Sequence, residues 1–233
     1  MIAIIGAGKL GKLIANELEQ RHEYYSTNTT GHDGYKKFDI NSDSFTTLPL
    51  ASTYIINIPP SKINFDSFIK NVKSIKHAKI IFISSTSVYG DFEGIVDELT
   101  KPNPKSQSAN KLVRIENILL TQKESLIIRP AGLYDKDSHP GFHLSGKDNI
   151  KNYNHPVNLI SREDVASAIV RLLNTEIQLI NLVNVNHPKK QSYYTEFCRS
   201  RGLDTPRFSL TTNGRGKEVK TKYVDFQFNS PLP

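Results

Sequence analysis

"IAIIGAGKLG", residues 2–11, is the stretch that decides the fold. Its first four residues are a continuous apolar run, which is typical of a strand covered on both faces. In the G-x-G-x-x-G pattern that follows, Gly6 permits a tight turn, Gly8 lets the backbone approach a pyrophosphate, and Gly11 lets a helix pack closely on the strand. Because apolar residues at helical spacing come next, the motif has the strand-turn-helix context of a dinucleotide-binding loop.

Strands and helices alternate along the rest of the chain. Apolar runs predict strands within residues 2–5, 24–27, 35–39, 52–60, 78–90, 125–134 and 180–186. Amphipathic segments between them predict helices, so the pattern indicates β-α-β units and an α/β fold with a doubly wound parallel sheet, the Rossmann fold. We expect residues 1–134 and 157–186 to form its NAD(P)-binding core. Residues 135–156 and 187–233 are expected to form a small, largely C-terminal substrate lobe within the same structural domain.

The composition limits the kinds of function. The chain has 233 residues, of which 37% are hydrophobic, and no apolar run approaches the ~20 residues of a membrane helix. A single cysteine, Cys198, excludes an intramolecular disulfide and lies in a pattern typical of an apolar helix face. Since no basic leader precedes the first strand, we predict a cytoplasmic protein without a membrane partner. The net charge of +7 comes from scattered Lys and Arg residues, which argues against a nucleic-acid partner.

The second strand bears on the choice between NAD and NADP. An acidic residue that binds the adenine ribose of NAD is expected about 20 residues after the glycine loop. That position falls within Ser26–Gly31, which holds no Asp, Glu or Arg. Without a carboxylate the 2′-phosphate is not repelled, so NADP is slightly favoured. Asn28 is able to bond either form, and Asp39 is placed either to contact the adenine or to close a turn.

The histidines of the predicted lobe do not form a metal motif. His139 and His143 are four residues apart, but Pro140 and Gly141 between them exclude a helical pair of ligands. With one cysteine and scattered carboxylates, the sequence predicts no metal site.

Three further segments complete a set that is typical of one family. They are "FISSTSVYG" at residues 82–90, "IIRPAGLY" at 127–134 and "PVNLISREDVASAIVRLL" at 156–173. Together with the glycine loop they resemble the extended, epimerase/dehydratase-like branch of the short-chain dehydrogenase/reductase superfamily over nearly the whole chain. The resemblance implies that Ser85 is the catalytic hydroxyl and that Lys111 contacts the nicotinamide ribose. It also matches Arg129 to the family's arginine-proline pair, and Asp164 to a residue that seats the lobe.

The predicted site therefore combines the loop, the strand ends and one helix. Its cofactor-binding residues are Gly6, Gly8, Lys9, Leu10, Gly11, Asn28, Asp39, Asn57, Ser84, Lys111 and Arg129. The lobe is expected to bind a small-molecule substrate. The resemblance also implies a homodimer built on the helix after the fourth strand and the helix that carries Lys111, with Phe65 and Phe68 serving either that contact or the core.

One residue departs from the family pattern. The family's proton donor is the tyrosine of Tyr-x-x-x-Lys, where the ammonium one helical turn away lowers the phenol pKa and bonds the ribose. Gln107 stands four residues before Lys111, and none of the ten tyrosines has a lysine four residues later. Gln107 is able to donate a hydrogen bond but not to give up a proton. The other protic candidates are Ser85, Thr86, Tyr89, Tyr134, His139 and His143.

Two functions remain open, and both use NAD(P). The first is a reductase acting on a small carbonyl or nucleotide-sugar-type substrate with an atypical proton donor, for which Ser85, Lys111 and Gln107 are the predicted catalytic residues. The short lobe favours a compact carbonyl reductase over a full sugar-nucleotide epimerase. The alternative is a non-catalytic NAD(P)-binding sensor or partner subunit, which Gln107 favours. The retained Ser85 hydroxyl and the pair Arg129-Pro130 favour the enzyme.

Overall fold

The secondary structure is that of an alternating α/β chain. The computed structural model describes residues 1–75, 77–211 and 214–233. In these ranges the strands are β1 (Ile2–Ile5), β2 (Tyr24–Asn28), β3 (Lys36–Lys37), β4 (Thr53–Ile56), β5 (Lys79–Ile83), β6 (Gly94–Val96), β7 (Ser125–Pro130), β8 (Gly132–Tyr134), β9 (Leu159–Ser161), β10 (Leu179–Leu182) and β11 (Lys217–Val219). The helices are α1 (Lys9–Leu18), α2 (Phe65–Ser74), α3 (Gln107–Leu119), α4 (Pro140–Leu144), α5 (Arg162–Arg171) and α6 (Lys190–Ser200).

Seven of the strands form one parallel sheet. Their order is β3-β2-β1-β4-β5-β7-β10, so the sheet grows outward on both sides of β1. All four residues of β1 are buried, as expected for a parallel strand covered on both faces. The predicted α/β fold with a doubly wound parallel sheet is confirmed. Because the strand order reverses between β1 and β4, the carboxyl ends of these two strands border the crevice where such sheets bind ligands.

Side-chain caps fix where the main helices begin. The Asn64 side chain accepts the Ser67 N–H at the start of α2, and the Ser106 hydroxyl accepts the Ala109 N–H at the start of α3. Ser161 caps α5 by accepting the Asp164 N–H at 2.9 Å, which is the capping interaction that its sequence pattern predicts. α5 then packs along α1, so the glycine loop and the start of α5 lie on neighbouring helices.

Two predicted strands differ from the observed ones. The third strand shortens to Lys36–Lys37, because the following residues turn to close a loop. The predicted strand at residues 125–134 is divided at Ala131. The Ala131 N–H still donates to the Leu182 carbonyl of the large sheet, whereas the next N–H donates to the Asn158 carbonyl. The chain therefore leaves the large sheet there, and β8 pairs with β9 in a separate two-stranded sheet.

A second apolar cluster joins residues at the edge of the predicted core to residues of the predicted lobe. Its buried members are Tyr134, Val157, Leu159, Tyr193 and Tyr194. Cys198, on the same helix as the last two, is fully buried, which confirms its predicted place on an apolar helix face. β6 and β11 form another two-stranded parallel sheet in this part of the molecule. The boundary between core and lobe stays a prediction.

The two phenylalanines of α2 have different surroundings. Phe68 is fully buried and packs on Phe82 of β5 with ring centroids 5.8 Å apart, so it serves the core. Phe65 is half-buried, and the Arg114 guanidinium of α3 lies 3.8 Å from its ring centroid. The homodimer through α2 and α3 stays a prediction. Within the described ranges, no helix is long and apolar enough to cross a membrane.

Candidate dinucleotide and active site

The glycine loop has the geometry that a pyrophosphate requires. Gly6 has a φ of +106°, and a side chain there would collide with the Asn57 carbonyl. A side chain at Gly11 would collide with the Gly6 carbonyl, which also accepts a hydrogen bond from the Asn57 amide at 3.2 Å. In contrast, a Cβ on Gly8 would meet nothing within 4 Å. The loop is therefore closed on its protein side and open at Gly8.

The first turn of α1 faces this opening. Gly8 is the N-cap residue and has no side chain to satisfy the first N–H groups of the helix. Uncapped N–H groups and the positive end of the helix dipole together favour an anion at this position. Asn57 directly follows β4 and lies beside the loop, and its contact with a cofactor stays a prediction.

An ion triad joins the loop to the start of the predicted lobe. The Asp135 carboxylate lies 2.7 Å from the Arg162 guanidinium and 3.6 Å from the Lys9 ammonium. Burial acts to raise the pKa of Asp135, but Arg162, the Asp137 N–H and Lys9 together outweigh it and hold that pKa below its usual value. Sequence reasoning found Lys9 but missed Asp135 and Arg162, since no spacing rule connects residues so far apart.

The two polar residues predicted to contact the adenosine both close turns. The Asn28 side-chain oxygen accepts the N–H groups of Thr30 at 3.1 Å and Gly31 at 2.5 Å. The Asp39 carboxylate accepts the Asn41 N–H at 2.9 Å. Of the alternatives for Asp39, the turn is the one observed. Cofactor contacts of Asn28 and Asp39 stay predictions.

Ser84 and Arg129 lie in a buried polar network beneath the strand ends. The Arg129 guanidinium donates to both oxygens of Glu116, at 3.0 and 2.7 Å, and to the Tyr89 hydroxyl at 2.9 Å. The Ser84 hydroxyl donates to Glu116 at 2.5 Å. Both residues are buried, and their polar groups are engaged by the protein itself. A cofactor contact of Ser84 or Arg129 stays a prediction, and the role observed is to organise the ends of β5 and β7.

Glu116 is the member of this network that the sequence did not reveal. It lies on the same face of α3 as Leu112, Ile115 and Leu119, and is 1% exposed. The available but unused signal was an acidic residue within an apolar helix stripe, because a carboxylate in such a position needs a buried partner.

α3 brings the predicted catalytic residues to the same end of the sheet. It packs against two short 3₁₀ turns, Pro60–Lys62 after β4 and Thr86–Tyr89 after β5. The Lys111 ammonium donates to the Ile63 carbonyl at 2.7 Å, and Gln107 is the exposed first residue of the helix. The structure therefore places Lys111 beside the loop that follows β4.

Ser85 keeps a hydroxyl hydrogen for another partner. Its Oγ accepts the Ser87 N–H at 3.1 Å, which caps the 3₁₀ turn. No acceptor for the Ser85 hydroxyl hydrogen lies within hydrogen-bond distance among residues 1–75, 77–211 and 214–233. A substrate oxygen is able to take this place.

Two other candidate proton donors, Tyr89 and His139, are buried and hydrogen-bonded within the protein. Tyr89 is fully buried, and its hydroxyl lies between Arg129, the Asp97 carbonyl and the Asn181 side chain. His139 is 2% exposed, accepts the Gly141 N–H through Nδ1 and contacts the Tyr193 hydroxyl through Nε2. These contacts remove Tyr89 and His139 as proton donors to a substrate.

His139 makes the fold sensitive to acid. Burial, with a contribution from Arg201, lowers the pKa of His139 to about 4. Since the unfolded state binds the proton near pH 6.5, the stability that neutral His139 provides is complete above that pH and is lost as the pH falls toward 4. We expect a loss of roughly 3 kcal/mol over this window. Urea unfolding at successive pH values measures this loss. His139→Gln is expected to flatten the dependence of the unfolding free energy on pH between 6.5 and about 4. An equally steep dependence in the variant would contradict the role of His139.

Metal-ligating side chains do not cluster in the described part of the chain. No group of three or more His, Cys, Asp or Glu side chains lies close enough together there to hold a metal ion.

Comparisons with known proteins place the fold. No protein-family model matches the chain. It is 28% identical to the Escherichia coli K12 protein YeeZ over an alignment of 267 positions, which covers 99% of this chain and 97% of YeeZ.

Several solved structures share the architecture. UDP-glucuronic acid 4-epimerase from Bacillus cereus, in complex with NAD, has a TM-score of 0.74 at 16% identity, with 100% of this chain and 92% of that chain covered. A dTDP-4-dehydrorhamnose reductase from Clostridium acetobutylicum has a TM-score of 0.71 at 19% identity, covering 97% and 90%. RMD from Pseudomonas aeruginosa, complexed with NADPH, has a TM-score of 0.70 at 15% identity, covering 97% and 90%. The chain thus has the Rossmann fold of NAD(P)-dependent epimerases and reductases.

Proposed function

We propose that this chain binds NAD(P) and acts as a reductase on a small carbonyl or nucleotide-sugar-type substrate, with an atypical proton donor. The observation that carries the proposal is the glycine loop, which is closed against Asn57 and open at Gly8, at the uncapped start of α1. The folds of the epimerase, the reductase and the NADPH complex of RMD support it. The resemblance of the sequence to the extended short-chain dehydrogenases/reductases supports it as well.

The end of β2 favours the phosphorylated cofactor. β3 pairs beside β2 so that Lys36 lies next to Thr27 and Lys37 next to Asn28, and both lysines are exposed. The turn of Ser26–Gly31 contributes no carboxylate. A 2′-phosphate bound here would lie near an exposed lysine of β3 and meet no carboxylate of this turn, so we propose a preference for NADP over NAD.

The chain's own groups would orient a carbonyl rather than supply a strong acid. Bound NADPH supplies the hydride, and the carbonyl oxygen needs hydrogen-bond donors and a proton. Ser85 offers its free hydroxyl hydrogen, and Gln107 offers an amide that donates but cannot ionise. Lys111, held by the Ile63 carbonyl, would position the ribose. Delivery of the proton through Ser85 from solvent predicts slow turnover, because a positioned acid typically contributes ~10²- to 10⁴-fold.

A non-catalytic NAD(P)-binding protein is the second candidate. Two observations favour it. Gln107 stands at the position of the family's tyrosine, so no phenol is present there, and the phenol of Tyr89 is buried away from a substrate. Both candidates require the dinucleotide.

Direct titration tests the shared part of the proposal. We expect saturable binding of NADPH and weaker binding of NADH, followed by the fluorescence of the reduced nicotinamide. Binding of neither dinucleotide would overturn both candidates, and tighter binding of NADH would overturn the proposed preference alone.

The variant Gln107→Tyr separates the enzyme from the binding protein. A tyrosine at this position stands one helical turn before Lys111, so we expect the rate with a panel of carbonyl compounds to rise about 100-fold, the lower end of the range for a positioned acid. Gln107→Phe, which adds the ring without the hydroxyl, is the matched control and is expected to give no increase. NADPH consumption is the measurement. Turnover in Gln107→Tyr with none in the wild type supports the binding protein.

A further inference from the structure

A cavity lies apart from the predicted catalytic residues. Its volume is about 550 Å³, within the ~300–1,000 Å³ that small-molecule sites occupy. One wall is the segment Gly90–Glu93, which follows the 3₁₀ turn after β5, and the others include Lys190, Tyr194 and Lys217. None of the predicted catalytic or cofactor-binding residues lines it.

Two half-buried lysines of this cavity donate hydrogen bonds to backbone carbonyls. The Lys217 ammonium donates to the Gly90 carbonyl at 2.6 Å, and the Lys190 ammonium donates to the Lys151 carbonyl at 3.2 Å. Neither makes an ion pair with a residue in the described ranges of the chain. Burial lowers the pKa of both lysines; for Lys190 burial is the cause given, whereas for Lys217 it outweighs the attraction of the Asp91 carboxylate.

The walls of the cavity are fixed by hydrogen bonds. The Asn158 side chain accepts the Val219 N–H at 2.8 Å and donates to the Lys217 carbonyl at 2.9 Å, which holds β11 in place. Tyr194 lies one helical turn after Lys190 on α6, and burial raises its pKa to about 12. Its hydroxyl therefore stays protonated and is a donor, as the two ammonium groups are.

We propose that this cavity binds a small phosphate or carboxylate that also carries hydroxyl groups. Lys190 and Lys217 hold the anion, and the Tyr194 hydroxyl adds a neutral donor. The exposed carboxylates of Asp91 and Glu93, on the facing segment, accept hydrogen bonds from the hydroxyl groups of the ligand. That this ligand is the substrate of the reductase rests on the proposed function, whereas the binding of an anion does not.

Inorganic phosphate and citrate are the probes for the anion site. Each is titrated into protein saturated with NADPH, so that the glycine loop is occupied, and the amide NMR shifts of Gly216 and Lys217 are followed. We expect saturable shifts with at least one probe. A response to phosphate alone or to citrate alone identifies which anion the cavity takes, and no saturable response to either overturns the inference.

Charge variants assign the binding to the two lysines. Lys190→Met and Lys217→Met are each expected to weaken binding about 10-fold, the effect of removing a charged hydrogen-bond donor. Lys189→Met, which removes a neighbouring exposed charge outside the cavity, is expected to leave the anion affinity unchanged. Lys217→Arg, which keeps the charge, is expected to retain anion binding. Equal weakening by Lys189→Met overturns the inference.

The two proposals fail separately. If NADPH does not bind, the dinucleotide proposal is wrong, and the anion titrations are made on the protein alone. Phosphate binding that depends on Lys190 would then still support the cavity assignment. If NADPH binds and neither anion does, only the cavity assignment is wrong.

Discussion

Gly8→Asp is expected to abolish dinucleotide binding while the fold remains as stable as before. Gly8 is the N-cap of α1 with φ −74° and ψ −168°, and a Cβ added there meets nothing within 4 Å. Aspartate is among the preferred N-cap residues, so the substitution costs no stability and satisfies an N–H of the first turn. The same carboxylate lies where the pyrophosphate must approach. Two like charges about 4 Å apart repel by roughly 4 kcal/mol near a protein surface, which is about a 10³-fold loss of affinity.

Gly8→Ser is the matched control, because serine caps the helix equally well without a charge. Its loss of NADPH affinity reports the steric part alone and is expected to be much smaller than that of Gly8→Asp. Thermal unfolding of both variants beside the wild type measures stability, and titration with NADPH measures binding. If Gly8→Asp binds NADPH as tightly as Gly8→Ser does, the pyrophosphate does not lie at this loop.

The core of the fold was predictable because its signals are local. The buried β1 and the glycines after it lie within ten residues, and the geometry at Gly6 and Gly11 follows from close contacts that only glycine permits. The cap of α5 at Ser161 is a pattern of four residues and was equally accessible. The division of residues 125–134 at Ala131 was not accessible, since it depends on which strand the backbone meets next.

The site was less predictable because its partners are distant in sequence. Ser84, Glu116 and Arg129 come from three different parts of the fold. Their spacing in the sequence does not predict that Arg129 pairs with Glu116. The cavity lysines come from α6 and β11, which sequence patterns placed in a lobe without assigning contacts. Motifs therefore located the glycine loop, whereas polar contacts between elements required the folded chain.

Glu116→Ala is expected to cost about 3–5 kcal/mol of unfolding free energy, the usual result of leaving one partner of a buried ion pair alone. Arg129 is 2% exposed, and with Glu116 gone the Tyr89 hydroxyl is the one hydrogen-bond acceptor that its guanidinium keeps among the described residues. The Ser84 hydroxyl also loses its acceptor. Denaturant unfolding is the measurement. Glu17→Ala, an exposed glutamate on α1, is the control and is expected to change stability by less than about 0.5 kcal/mol.

The double variant Glu116→Leu with Arg129→Met separates two explanations of that loss. If the single variant is unstable because it leaves a bare charge in the core, apolar replacement of both partners is expected to recover most of the stability, as seen when buried ion pairs are replaced by residues of similar volume. If the pair instead holds the ends of β5 and β7 in position, the double variant stays as unstable as Glu116→Ala. If the double variant recovers stability but loses NADPH affinity, the network serves to shape the site. The reason is that Glu116 accepts a hydrogen bond from Ser84, which directly precedes Ser85.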